Sequence, residues 1–164
     1  MNSEFTSAVE GNRRRMLVLV RGIVRDGALA EDIVQDAVLA YLQAASGGKN
    51  VSCPGAWLMK VARNRALDAV RSAGYSRTSG LEAAWRQDSG ENIELHLGMR
   101  EQVAQVRAVV QELPEQQRSA FILRDVLGYE TDEIAEIIGC AGDNVRQLLS
   151  RARKRIRKYL LENE

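Results

Sequence analysis

The sequence predicts an all-α fold: two small helical domains joined by a flexible linker, the second containing a helix-turn-helix. Three observations carry this expectation. The 164 residues are rich in Ala, Leu, Arg and Glu and hold just 2 Pro, with 5% aromatics, a composition that suits helices and is poor material for a β-sandwich. Apolar residues recur every three or four positions in both halves of the chain. Between the halves, residues 74–98 break that pattern with Gly74, Gly80, Gly90, Gly98, Ser76, Ser79 and Ser89. A connection that long is unusual inside one compact domain, so the expected organisation is a domain over 1–73, a linker over 74–98 and a domain over 99–164.

Each element has its own warrant. The first helix, from Asn2 to about Asp26, carries Phe5, Val9, Met16, Val20, Ile23 and Val24, and Gly27 is expected to interrupt it. The second, from about Leu29 to Ala45, places Ala30, Ile33, Val34, Ala37, Val38, Tyr41 and Leu42 on one face and Glu31, Asp32, Gln35 and Asp36 on the other. A polar loop from Ser46 to Cys53 leads to Pro54, which suits the first position of a helix. The third helix, Pro54 to Ser72, has an apolar stripe of Leu58, Ala62, Ala66, Ala69 and Ala73. Lys60, Arg63, Asn64, Leu67 and Arg71 follow two residues behind, about 200° around the helix. They are expected to form a cationic outer face.

Within the linker, Leu81 to Arg86 is a possible short helix, Trp85 a docking residue and His96 a solvated one. In the second half, Met99 to Leu113 carries Val103, Val106, Val109 and Val110, and a helix from Pro114 bears Ala120, Phe121, Leu123, Val126 and Leu127 before Gly128 ends it. Thr131 is an N-cap candidate for a short helix that Gly139 ends. A turn at Cys140-Ala141-Gly142 then introduces a last helix, from about Asp143 to Leu160.

Several function classes fall away. No apolar run approaches the roughly 20 residues of a membrane span, and no secretory signal opens the chain, so it is expected to be cytoplasmic, without direct membrane insertion. Cys53 and Cys140 do not make a disulfide framework, and the single histidine argues against a His-based metal site or a Ser-His-Asp triad. No phosphate loop or metal-ligand spacing is present. The expectation is a protein that is not an enzyme, with no catalytic residues, cofactor, metal or small-molecule substrate.

The formal net charge is +1, but the charge is segregated. Residues 60–77 hold five basic and one acidic residue, and 143–164 hold seven basic and three acidic ones. Residues 78–142 hold twelve acidic and five basic ones. Two separated basic blocks suit two polyanion contacts on one chain; on charge alone, two solvated helix faces serve equally well.

The helix-turn-helix at Thr131 to Leu160 decides more. In its second helix Val145, Leu148, Leu149, Ala152, Ile156 and Leu160 must face the core, which leaves Arg146, Gln147, Ser150, Arg151, Lys154 and Arg157 outward. The early outward residues would lie in a major groove, where Arg reads guanine and Gln reads adenine; the later ones would sit near phosphates.

At these residues the chain resembles a known family. Leu113-Pro114-Glu115-Gln116-Gln117-Arg118, Leu123-Arg124, Glu133-Ile134-Ala135-Glu136 and Ser150-Arg151-Ala152-Arg153 are similar to the C-terminal promoter-recognition domain, region 4, of bacterial sigma factors of the sigma-70 family. Ala30-Glu31-Asp32-Ile33-Val34-Gln35-Asp36 resembles the region 2 segment that docks on RNA polymerase. Ala56-Trp57-Leu58, Val61-Ala62-Arg63-Asn64 and Leu67-Asp68-Ala69-Val70-Arg71 resemble the segment that melts and reads the −10 element. The absence of a domain between the halves resembles the extracytoplasmic-function (ECF) group.

The resemblance implies a transcription initiation factor that binds core RNA polymerase and promoter DNA under the control of an anti-sigma factor. It implies core-polymerase binding at Asp32, Gln35 and Asp36. It implies −10 DNA binding at Asn50, Lys60, Arg63, Asn64 and Arg71, with Asn50 and Ser52 in the loop that takes a flipped base. It implies −35 DNA binding at Arg146, Gln147, Ser150, Arg151, Lys154 and Arg157. Two departures stand out: Gly142-Asp143-Asn144 replaces the family's common small residue followed by Gly-Thr, and Leu148 stands where a basic residue is frequent. Trp57 reads as a core anchor. The alternatives are a one-component helix-turn-helix regulator, which would need a ligand or dimerisation module, and a sigma mimic that binds an anti-sigma factor without targeting polymerase.

Overall fold

A computed structural model of the chain describes residues 3–49, 51–73 and 97–162. The chain divides into two compact units, Met1–Trp85 and Arg86–Glu164. The expected linker, with Trp85, His96 and the segment 81–86, lies outside the described residues except at 97–98, which already belong to a helix.

In the first unit three helices, α1 (Ser3–Val24), α2 (Gly27–Ser46) and α3 (Pro54–Ala73), pack against one another pairwise. Met16, Leu19, Val20, Ile23 and Val24 of α1 meet Ala30, Ile33, Val34, Ala37 and Tyr41 of α2 and Ala56, Leu58, Met59, Ala62 and Ala66 of α3 in one apolar core. Small residues on α3 let the helices approach closely. Gly55 is the sharpest case, since a Cβ there would lie 3.1 Å from the Asn12 side chain of α1.

The corner between α1 and α2 corrects the expectation for Gly27, which is the first residue of α2 and not a break. The chain turns one step earlier, where Arg25 adopts a left-handed φ of 63°. That conformation costs a non-glycine residue about 1 kcal/mol. It delivers Asp26 to the N-cap of α2, where the carboxylate accepts from the backbone N–H of Ala28 at 3.0 Å and Leu29 at 3.3 Å. Glu31 adds a tie across the corner, 3.2 Å from Arg13 of α1.

The second unit holds α4 (Leu97–Glu112), α5 (Glu115–Phe121), α6 (Thr131–Ile138) and α7 (Gly142–Glu162). α5 runs on through a π-helical turn, Ile122–Val126, that periodicity did not foretell. In it the N–H of Leu127 reaches back to the carbonyl of Ile122 at 2.9 Å, widening the helix by one residue per turn. Val109, Val110, Leu113, Ala120, Leu123, Ile134, Ile137, Val145, Leu149 and Ala152 fill the core.

Arg118, 3% exposed, is buried for a structural reason. Its guanidinium donates to the carbonyls of Val110 at 3.2 Å, Gln111 at 3.4 Å and Leu113 at 2.8 Å, around the end of α4. Carbonyls at a helix end run short of backbone donors (Val110 receives just the N–H of Leu113, at 3.2 Å), and a cation suits the negative end of the helix dipole. The Leu-Pro-Glu-Gln-Gln-Arg motif therefore stops one helix and starts the next.

Candidate functional site

The helix-turn-helix is built by local chemistry. The N-cap of α6 is Glu130, one residue before the expected Thr131, and its backbone N–H donates to the Glu133 carboxylate at 3.0 Å in a capping box. At the other end Gly139 takes φ 84°, a conformation that suits glycine, and its N–H closes on the Ala135 carbonyl at 2.8 Å. The turn is Gly139-Cys140-Ala141. Gly142 belongs to α7, where the sequence reading put it in the turn.

On α7, Val145, Leu148, Leu149, Ala152 and Ile156 are buried. Arg146, Gln147, Ser150, Arg151, Lys154 and Arg157 are all exposed, so one helix face brings the six expected residues together. Arg155 and Lys158, which sequence reasoning left out, are exposed too and extend the row begun by Arg151 and Lys154 at helical spacing. Arg153 is otherwise engaged: its Nε and Nη2 donate to the two oxygens of Asp125 at 2.9 and 2.7 Å. That hydrogen bond is the main reason its guanidinium pKa is raised, with the charge of Asp125 adding and slight burial opposing. Arg146 bonds at 2.6 Å to Asp143, one turn earlier on the same helix.

On α2, Asp32, Gln35 and Asp36 are exposed, opposite the buried Ala30, Ile33, Val34, Ala37 and Tyr41. Leu39, 48% exposed, continues the same face. The spacing of positions 32, 35, 36 and 39 was a signal for it that sequence reasoning passed over. An acidic and polar face around one uncovered leucine is chemistry suited to a protein partner.

On α3, Lys60, Asn64 and Arg71 are exposed, and Arg65 joins them. Arg63 corrects the expected outer face, because it is 3% exposed. α3 packs on α1 and on α2 at once, so its covered arc is wider than the single stripe of Leu58, Ala62 and Ala66. Met59 and Arg63, four residues apart, lie on the second covered side. Trp57 is half-buried, its ring 5.6 Å from that of Tyr41 in an edge-on arrangement that joins α3 to α2. Asn50 lies outside the described residues; its neighbours Lys49 and Ser52 are exposed.

Among the described residues no group of His, Cys, Asp and Glu side chains could hold a metal ion, and Cys53 and Cys140 are unbonded thiols. No helix of the described residues is long and apolar enough to cross a membrane.

Among the described residues the protein is helical, with cationic outer faces on α3 and on the second helix of a helix-turn-helix, chemistry suited to a polyanion, and an acidic face on α2. Two models of one family match most of the chain: sigma-70 region 2 over residues 8–75 and sigma-70 region 4 over residues 104–156. The chain belongs to the sigma-70 family, in its extracytoplasmic-function group. It is 27% identical over 157 residues to the ECF RNA polymerase sigma factor SigM of Mycobacterium tuberculosis, with 95% of this chain and 76% of SigM covered. It is 28% identical over 181 residues to the ECF RNA polymerase sigma factor SigD of Mycobacterium bovis, with 98% and 84% covered. In fold it is similar to the sigma factor RpoE of Bartonella quintana, solved in complex with the anti-sigma factor NepR, at a TM-score of 0.70 and 22% identity, with 99% of this chain and 100% of RpoE covered.

Proposed function

We propose that this sigma factor divides promoter recognition between its two halves. It binds core RNA polymerase, directs it to promoters and takes part in strand opening. The first half, residues 1–73, docks on core polymerase through Asp32, Gln35, Asp36 and Leu39 of α2. It opens the −10 element through Lys60, Asn64, Arg71 and the loop containing Asn50. The second half, residues 99–164, enters the −35 element with α7, led by Arg146, Gln147, Ser150 and Arg151, while Lys154 and Arg157 sit near phosphates. Residues 74–98 connect the two, and an anti-sigma factor holds the protein until a signal releases it.

The observation that supports this reading best is the sorting of α7, in which every polar residue expected in the groove is exposed and five of the six apolar residues expected in the core are buried, Leu160 in the last turn being half-buried. A basic helix in an ordinary bundle has no need of the preceding short helix, its capping box and the glycine turn. The two family matches, region 2 and then region 4, stand in the order that the resemblance implies.

The test is run-off transcription with purified core polymerase on a promoter library. A discrete set of transcripts that appears only when the protein is added is the expected result. Binding to core polymerase without any promoter-specific transcript would make the protein a mimic. Duplex binding without core binding would make it a one-component regulator.

A further inference from the structure

We propose that Asp143 and Arg146 act as one reading unit, in which the carboxylate fixes the guanidinium so that it discriminates a guanine in the major groove. The inference rests on the reading of α7 as the helix that enters the −35 duplex.

The geometry begins at the start of α7. The N–H of Val145 bonds the carbonyl of Ala141 at 3.1 Å, which makes Asp143 the second residue inside the helix. A carboxylate is favoured there by the positive end of the helix dipole. Arg146 stands one turn later, and side chains on a helix lean back toward its N-terminus. Its guanidinium accordingly lies over Asp143, with Nη1 donating to Oδ1 at 2.6 Å.

Both side chains are open to solvent, Arg146 at 65% and Asp143 at 92%. An ion pair so exposed adds little to the stability of a fold. What it does is orient: one N–H of the guanidinium is engaged, and the others remain free to bond a base. These are the first outward residues of α7, and the first turns of a recognition helix are the part that reaches base edges. Arginine recognises guanine by two parallel bonds to O6 and N7, which demand a defined plane for the guanidinium. A guanidinium already held in place loses less rotamer freedom on binding than a swinging one.

The acid has an opposite effect on affinity. A negative charge at the mouth of a groove walled by phosphates weakens binding to every sequence alike. Asp143 therefore lowers general affinity while sharpening the choice of base, and the two effects separate experimentally.

The experiment uses holoenzyme assembled from core RNA polymerase and the full chain. Binding is measured across a promoter library randomised at the −35 element, for the parent, Asp143→Ala, Asp143→Asn, Arg146→Ala and the double variant Asp143→Ala with Arg146→Ala. Asp143→Ala is expected to flatten the guanine preference at one position by about three- to tenfold, a fraction of what a full arginine–guanine contact supplies. Binding to unrelated sequences should tighten at the same time. In the Arg146→Ala background the same substitution should leave that preference unchanged, because its effect passes through the guanidinium.

Asp143→Asn keeps an oxygen that accepts more weakly from the guanidinium once its charge is gone. It should tighten binding to unrelated sequences as Asp143→Ala does and lose part of the guanine preference, while retaining hydrogen-bonding capacity at the helix start. It carries the test if the alanine variant melts early. Unchanged preference in both Asp143 variants, or equal loss with and without Arg146, overturns the inference while the −35 reading stands. A parent holoenzyme with no preference at any −35 position overturns both.

Discussion

Arg153 of α7 and Asp125 of the π-helical turn are joined by two hydrogen bonds, 2.9 and 2.7 Å long, across 28 residues of sequence. The pair fastens α7 to the turn that ends α5. The widened turn and the ion pair belong together, since the extra residue changes which side chains face α7. Asp125→Ala is expected to lower the stability of the second unit by about 0.5–1 kcal/mol, because the pair is only partly shielded from water. It should leave −35 base preference as it is. Thermal unfolding and library binding, run side by side, check both halves of the statement. The hydrogen bond to Asp125 raises the guanidinium pKa, so on the alkaline side the pair's contribution persists until the guanidinium itself loses its proton.

The face of α2 makes a second prediction. Asp32→Ala and Gln35→Ala should each weaken binding to core polymerase by roughly tenfold, the scale of a moderate interface hot spot. Leu39→Ser should do the same, since a leucine left half uncovered beside acids is well placed to be buried by a partner. Helicity should stay at the parent value in all three. Core binding measured by fluorescence anisotropy checks the effect, and three parent-like affinities would move the docking surface elsewhere.

On α3 the cations should separate into two kinds. Lys60→Ala, Asn64→Ala and Arg71→Ala change exposed residues and should reduce open-complex formation with the fold intact. The loss should be smallest on a template already mismatched at −10, where no melting energy is needed. Arg63→Ala removes a buried side chain and should cost about 2–3 kcal/mol of stability, visible as an earlier thermal transition and equal loss on both templates. An Arg63 variant that melts with the parent yet fails to open duplex would return Arg63 to the nucleic-acid face.

Arg118 gives a stability prediction of another sort. Arg118→Ala leaves three carbonyls at the end of α4 without their shared donor, and about 2–4 kcal/mol should be lost from the second unit. Lysine should not rescue it, because an ammonium on a flexible stem does not match the fork of the guanidinium. Denaturant unfolding of the two variants is the measurement, and a Lys variant as stable as the parent would mean that charge alone closes the helix.

The residues that were legible in the sequence are those whose neighbours on the same helix determine their facing. Val145, Leu148, Leu149 and Ala152 assign the sides of α7 by spacing alone, and the acids of α2 follow from Ala30, Ile33 and Val34 in the same way. Arg63 was not legible because its burial comes from a second packing partner, and a single-helix period describes one partner at a time. The corner at Arg25 escaped for a different reason: a left-handed arginine next to a capping aspartate leaves no mark, whereas the adjacent Gly27 invites the wrong assignment. The Arg153–Asp125 pair depends on a π-helical turn, and periodicity has no signal for an inserted residue.

The last prediction concerns what α7 contributes to specificity and to affinity. Arg146 lies in the first turns, where a recognition helix meets base edges, and Arg157 lies three turns further along, where the helix leaves the groove. Both are exposed, so neither substitution disturbs the core. An arginine paired with guanine supplies about 1–3 kcal/mol of discrimination. One at a phosphate supplies affinity without discrimination and one unit of salt dependence. Arg146→Ala should therefore relax preference at one or two −35 positions with a small change in the salt slope. Arg157→Ala should weaken binding evenly across sequences and lower the slope by about one. Holoenzyme binding to a −35 library at several salt concentrations reads both quantities in one experiment. If Arg157 set the base preference and Arg146 only the affinity, the helix would enter the groove from its other end, and the assignment of α7 residues to bases and phosphates would have to be reversed.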